Sequence, residues 1–193
     1  MLDILETIDY RGKKIEIHQD THPMCPRTDS DPLGTMICFH KSYGLGDEHT
    51  YSIHNAIAML QDKNLIALPL YLYDHSGITM STTAFSCRWD SGQVGIIFVT
   101  KKAIREEYKW DKINKARVAK ILSYLQREVK EYDQYLTGDV YGYTTGDDSC
   151  WGFYGHDHEK SGLLEYAKDA IDCQITEERK VEMANFSEVM DVV

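Results

Sequence analysis

One run of four residues brings together the side chains of nucleophilic catalysis. Asp74-His75-Ser76-Gly77 closes an apolar stretch with a carboxylate, an imidazole and a hydroxyl. In a nucleophilic triad the imidazole lies between carboxylate and hydroxyl, and the three come from distant positions. Neighbours on one short turn cannot reach that geometry alone. Asp74 and His75 are therefore catalytic candidates set against a plainer expectation, an Asx-type turn closed by Ser76 and Gly77.

Cys150, in Ser149-Cys150-Trp151-Gly152-Phe153, is a third catalytic candidate. A thiol becomes a nucleophile beside a cation that lowers its pKa. The local Ser-Cys-Trp string also occurs in cysteine proteases, but His156 and His158 follow far too soon for their order, so a buried structural thiol is the expectation. His156-Asp157-His158-Glu159 offers two imidazoles and two carboxylates, and alternate residues of an extended chain point the same way. His156 and His158 are thus metal candidates, needing a third ligand such as His40, His49 or His75. With no second paired motif, an acidic surface loop is expected and no cofactor; a divalent metal is the one these residues could hold.

Thirteen tyrosines are many for 193 residues, and several stand among acids after residue 130. Aromatic rings supply contact area and carboxylates mimic phosphates, so Glu131, Asp133, Tyr135, Asp139, Tyr141, Asp147 and Asp148 form a candidate surface for a basic protein. A tyrosine-rich core rim accounts for the same rings. Gly92 and Gly95, after Trp89-Asp90, would let the backbone approach a ligand or another strand closely, and no Gly-rich phosphate loop is present.

The elements carrying these residues follow from periodicity. Alternation on both sides of Arg11-Gly12 predicts an opening hairpin, and three prolines between residues 19 and 34 predict a loop. Thr35–His40 reads as a strand. Residues 51–62 place Ile53, Ile57 and Leu60 on one helical face that should pack on the sheet. Leu65–Tyr73 reads as a strand covered on both faces, with Pro69 implying an edge or a bulge. Ile78–Phe85 and Val94–Thr100 complete a β-rich middle. Val118, Ile121, Leu122, Leu125, Val129, Tyr132 and Leu136 give one long amphipathic helix ended by Gly138. Two strands around Gly146-Asp147 and a helix over Leu163–Ile171 follow. Because strands come in runs, an α+β fold is expected: a single domain over residues 1–172 with a largely antiparallel sheet, one long and two shorter packed helices, and an acidic helix or tail over 173–193.

With 42% apolar and 27% charged residues the chain has the composition of an ordinary folded protein. No stretch reaches the roughly 20 apolar residues of a membrane span, the start lacks a basic leader, and five cysteines without CxxC suggest reduced thiols, so a cytoplasmic protein is expected. The net charge of −10 is unevenly spread: residues 101–130 hold ten Lys/Arg against four Asp/Glu, and 131–193 hold four against fifteen. Such a chain is repelled by a phosphate backbone except through its basic segment, so a basic protein is a better partner than nucleic acid.

Four strings remain: PRTDSDPLGTMICFHKSYGLGD, PLYLYDHSGITMSTTAFSCRWDSGQVG, EYDQYLTGDVYGY and DSCWGFYG. Together, over roughly residues 15–172, they resemble a family of small proteins found in bacteriophages and related mobile elements. The resemblance implies a lineage and an accessory or counter-defence role in a host cytoplasm, without catalytic residues to transfer. The resulting expectation is a phage-type protein that binds and modulates a host protein, one that itself binds nucleic acid, through an acidic, phosphate-mimicking surface. The alternatives are a metal- or Cys/His-dependent enzyme using Asp74, His75, Cys150, His156 or His158, and a nucleotide-binding or sequestering module.

Overall fold

The structure, a computed structural model, describes residues 3–146 and 148–190, with side chains through residue 184. Its contacts group into two units, Met1–Pro23 with Gly138–Val193, and Met24–Thr137. The fold is α+β, and every strand pairing is antiparallel. Among the described residues the strands form two four-stranded sheets, one in each unit.

In the first unit the order is β1 (Ile4–Tyr10), β2 (Lys13–Gln19), β7 (Val140–Thr145), β8 (Asp148–Tyr154). The opening hairpin turns through Arg11 and Gly12, both at positive φ, the conformation a tight two-residue hairpin requires. Alternating Ile15 and Ile17 on β2 join Tyr143 and Phe153 beneath Leu163, Ala167 and Ile171 of α4 (Leu163–Met190). The spacing of those three α4 residues is the helical one that buries a single stripe. Residues 176–184 of α4 are all exposed.

In the second unit the order is β3 (Thr35–Cys38), β6 (Ser91–Thr100), β4 (Leu65–Asp74), β5 (Ile78–Ser81). Both faces of this sheet are covered. Met36, Cys38, Ile97 and Val99 meet Ile121, Leu125, Val129 and Tyr132 of α3 (Lys115–Thr137), while Ile37, Ile96 and Phe98 meet α1 (Ile53–Met59). Two-sided burial is why Ile96–Val99 is an unbroken apolar run. Gly95 lets β3 approach: a Cβ there would lie 2.0 Å from the Ile37 carbonyl oxygen.

Pro69 lies in the middle of β4, which pairs with β6 there; β5 pairs only with Tyr71–Asp74, leaving the other edge open, and the β6 register shifts at Leu70/Tyr71. The edge expectation for Pro69 is met, and the bulge lies not at Pro69, which pairs in register with Ile96, but beyond it. Asn114 accepts the Arg117 N–H to start α3, and Gly138, at positive φ, follows its end.

Four differences from the sequence reading stand out. Among the described residues the helices comprise two long ones, 23 and 28 residues, and two short ones. The unexpected α2 (Lys101–Tyr108) is capped by Thr100 and buries only Ile104, too little apolar signal to read. β6 starts at Ser91, three residues before the strand expected over Val94–Thr100. Finally, α1 turns Ala56, not Ile53 and Ile57, to the sheet: the small side chain sits against Ile96 and Phe98, and the two isoleucines stay more than half exposed.

Candidate functional site

The β4–β5 turn carries Asp74 and His75. His75 N–H donates to the Gly77 carbonyl at 3.0 Å, Ser76 has φ 55°, and the exposed imidazole lies 3.3 Å from Asp90 Oδ2. Cys87 Sγ approaches the same oxygen at 3.6 Å, and the Tyr43 hydroxyl donates to Asp74 at 3.5 Å. The group that assembles is therefore His75, Asp90 and Cys87. A carboxylate lies between imidazole and thiol, whereas nucleophile activation requires the imidazole in the middle.

In the first unit Cys150 faces Tyr143 across β7–β8 and packs on the core. Asp139 gathers two other candidates. The Tyr141 hydroxyl donates to it, and burial, then Asp139, raises the tyrosine pKa; His156 Nδ1 lies 3.5 Å from Asp139 Oδ2 with its ring largely in solvent. His158 instead meets Tyr141 edge-on, with centroids 5.0 Å apart, and its buried Nδ1 has no hydrogen-bond partner among the described residues. The two histidines of the motif thus turn to different neighbours. Asp157 between them pairs with Lys160 at 2.5 Å. Among the described residues no group of three or more His, Cys, Asp or Glu has metal-binding geometry.

The acidic and aromatic candidates divide between the units. Glu131, Asp133 and Tyr135 lie on α3; Asp139, Tyr141 and Asp148 lie in the first unit; Asp147 is outside the described residues. Glu131 is exposed. Asp133 is occupied: its Oδ1 accepts from Thr79 Oγ1 and from Met80 N–H, both at 2.6 Å, tying β5 to α3. Tyr135 stacks on Tyr132 with centroids 6.0 Å apart and bonds Cys25, its pKa raised by burial first and then by that thiol. Asp148 is exposed, and among the described residues its carboxylate accepts its neighbour's N–H, from Ser149.

Charge follows the same division. The first unit holds seven Lys/Arg against eighteen Asp/Glu, and the second holds fourteen against thirteen. The acidic excess of the chain therefore belongs to the first unit.

One polar network went unread in the sequence. Arg27, 1% exposed at its side chain, forks onto Asp47 through Nε at 2.8 Å and Nη2 at 2.7 Å, reaches Glu128 through Nη1 at 3.1 Å, and donates to the Gly34 carbonyl. Glu128 accepts the N–H groups of Leu33 and Gly34, and Asp47 accepts that of Met36. Burial lowers the guanidinium pKa, but the two carboxylates outweigh it and hold it above the ordinary value; burial pushes Glu128 up against the pull of Gly34 and Arg27. The same surroundings, burial first and then Asp47, push the Cys38 thiol to about 12, far from the thiolate that reacts. This network accounts for much of the PRTDSDPLGTMICFHKSYGLGD string as architecture. The readable trace was Gly46 before Asp47, at φ 71° and packed on the Met36 carbonyl.

Two open depressions accompany these groups. One, of about 970 Å³, runs beside Lys13, Thr145 and Gln174 in the first unit; the other, of about 1020 Å³, is lined by His40, Tyr43, Asp47 and His49 in the second. Among the described residues no helix is long and apolar enough to cross a membrane. Compared with protein-family models, curated proteins and solved structures, the chain finds no match.

Proposed function

We propose that the chain is a phage-type accessory protein that binds and modulates a host protein, its acidic unit taking the place of nucleic-acid phosphates on a Lys/Arg-rich surface. The supporting observation is the charge division, seven Lys/Arg against eighteen Asp/Glu in one unit. Asp172, Glu178, Glu177 and Asp157 are held by Arg11, Lys13, Lys180 and Lys160. Asp148, Glu159, Glu165, Asp169 and Glu182 are exposed and hold no ion pair among the described residues. Tyr166, 62% exposed, stands between Glu165 and Asp169 on the first turns of α4 and supplies an amphipathic contact ring.

The joint substitution Asp148→Asn, Glu165→Gln and Asp169→Asn is expected to slow association with an arginine- and lysine-rich DNA-binding protein about tenfold at low salt, and to leave thermal unfolding unchanged. Stopped-flow mixing at several salt concentrations measures this. An unchanged association rate contradicts the electrostatic docking.

A further inference from the structure

Where α2 ends against α3, aromatic rings and cations alternate in a ladder. Lys109, in the left-handed conformation at φ 53°, turns the chain so that Trp110 stacks on Tyr108, with centroids 4.6 Å apart and planes at 26°. Tyr108 in turn lies parallel to Tyr124, at 6.2 Å and 9°. Arg117 covers Trp110 at 4.6 Å and Arg127 covers Tyr124 at 4.5 Å, while the Lys120 ammonium lies 5.9, 6.0 and 5.6 Å from the centroids of Tyr108, Trp110 and Tyr124. Arg117, Lys120, Tyr124 and Arg127 recur at steps of three and four, which puts them on one stripe of α3.

Packing explains part of this, because the inner edges of the rings rest on the core. Arg117 also donates to the Lys112 carbonyl, which ties down the connection before α3, but packing and that bond leave Lys120 and Arg127 unexplained. In a chain of net charge −10 a carboxylate partner is easily supplied, yet among the described residues Arg117, Lys120 and Arg127 hold no ion pair. Of the acids nearby, Glu128 is committed to Arg27, Glu107 acts on Tyr108, and Glu131 lines the depression shared with Tyr124 and Arg127 without pairing with a cation among the described residues. Exposed Lys109 and Lys112 in the connection from α2 to α3, and Lys115 at the start of α3, add positive charge against the single exposed acid Asp111.

We infer that this ladder is a binding platform for single-stranded nucleic acid. A guanidinium plane on an aromatic face is an arrangement a nucleobase can extend or replace, so bases stack at the Trp110 and Tyr124 ends while Lys120 and the lysines of the connection meet phosphates. A duplex keeps its base faces stacked and would reach only the cations. An acidic peptide would do the same. This surface lies in the second unit, so its failure would leave the acidic docking of the first unit standing.

The test is fluorescence anisotropy of a labelled oligothymidylate of about 12 nucleotides with the full chain at low salt, a length within the range such surfaces cover. The expected affinity is roughly micromolar, with a log–log salt slope near −2, as about three contacted phosphates give on a single strand. Trp110→Ala is expected to weaken binding about tenfold and Trp110→Tyr to restore most of it. Lys120→Gln, at an exposed position, is expected to reduce the slope by about 0.7, and this variant decides the matter if Trp110→Ala fails to fold. Absence of binding, an unchanged slope in Lys120→Gln, or equal binding of duplex DNA or polyglutamate would each overturn the inference.

Discussion

Arg27→Ala is expected to cost the fold about 3–5 kcal/mol in urea unfolding, the loss typical of a buried ion pair stripped of one member. The guanidinium is 1% exposed and serves two carboxylates and a carbonyl at once. Its removal would leave Asp47 and Glu128 facing each other without a cation. Neither can turn to water freely, because Asp47 holds the Met36 N–H and Glu128 those of Leu33 and Gly34. Arg27→Lys keeps the charge and loses the fork, so it should recover less than half of the loss. Adding Glu128→Gln to Arg27→Ala should cost less than the two single losses together, since one unpaired charge disappears. A loss below about 1 kcal/mol would mean that the network behaves as a solvated surface pair.

Asp133→Ala is expected to destabilise by about 2–3 kcal/mol, since hydrogen bonds to a charged acceptor are worth more than neutral ones and Met80 N–H would be left without its partner. Both bonds are 2.6 Å long and join residues 53 and 54 positions apart in sequence. The same substitution should leave association with a basic protein unchanged, the reverse of the pattern expected for Asp148, Glu165 and Asp169. Urea unfolding and stopped-flow association on the one variant separate the two roles. Slower association at unchanged stability would return Asp133 to the binding surface.

Local rules carried much of the fold. The Arg11-Gly12 hairpin needs only alternation and a turn pair, α3 needs only its apolar stripe, and Pro69 needs only its missing donor. What sequence could not carry was the assignment of strands to two sheets, because β2 pairs with β7 across more than a hundred intervening residues. The orientation of α1 was also hidden: periodicity favoured Ile53 and Ile57, and close packing on Ile96 and Phe98 favoured Ala56. At the candidate sites the limit is the same. Arg27 and Glu128 meet from positions 101 apart, and an arginine in a proline-rich loop carries no periodic signal. Asp133 reads like its neighbour Glu131 in sequence, yet one is a tie between β5 and α3 and the other faces solvent. His156 and His158 satisfied a spacing rule and then turned apart, toward Asp139 and Tyr141.

The central claim is that the acidic unit substitutes for phosphates on a basic protein, and displacement of DNA tests it most directly. An arginine- and lysine-rich DNA-binding protein is loaded on labelled duplex DNA, the full chain is added, and free DNA is followed on a gel at about 50 mM and about 500 mM salt. The account predicts release of the duplex by the native chain at the lower salt, and little release by the joint Asp148→Asn, Glu165→Gln and Asp169→Asn variant. Equal release by native chain and variant, or a duplex that stays bound, would contradict it.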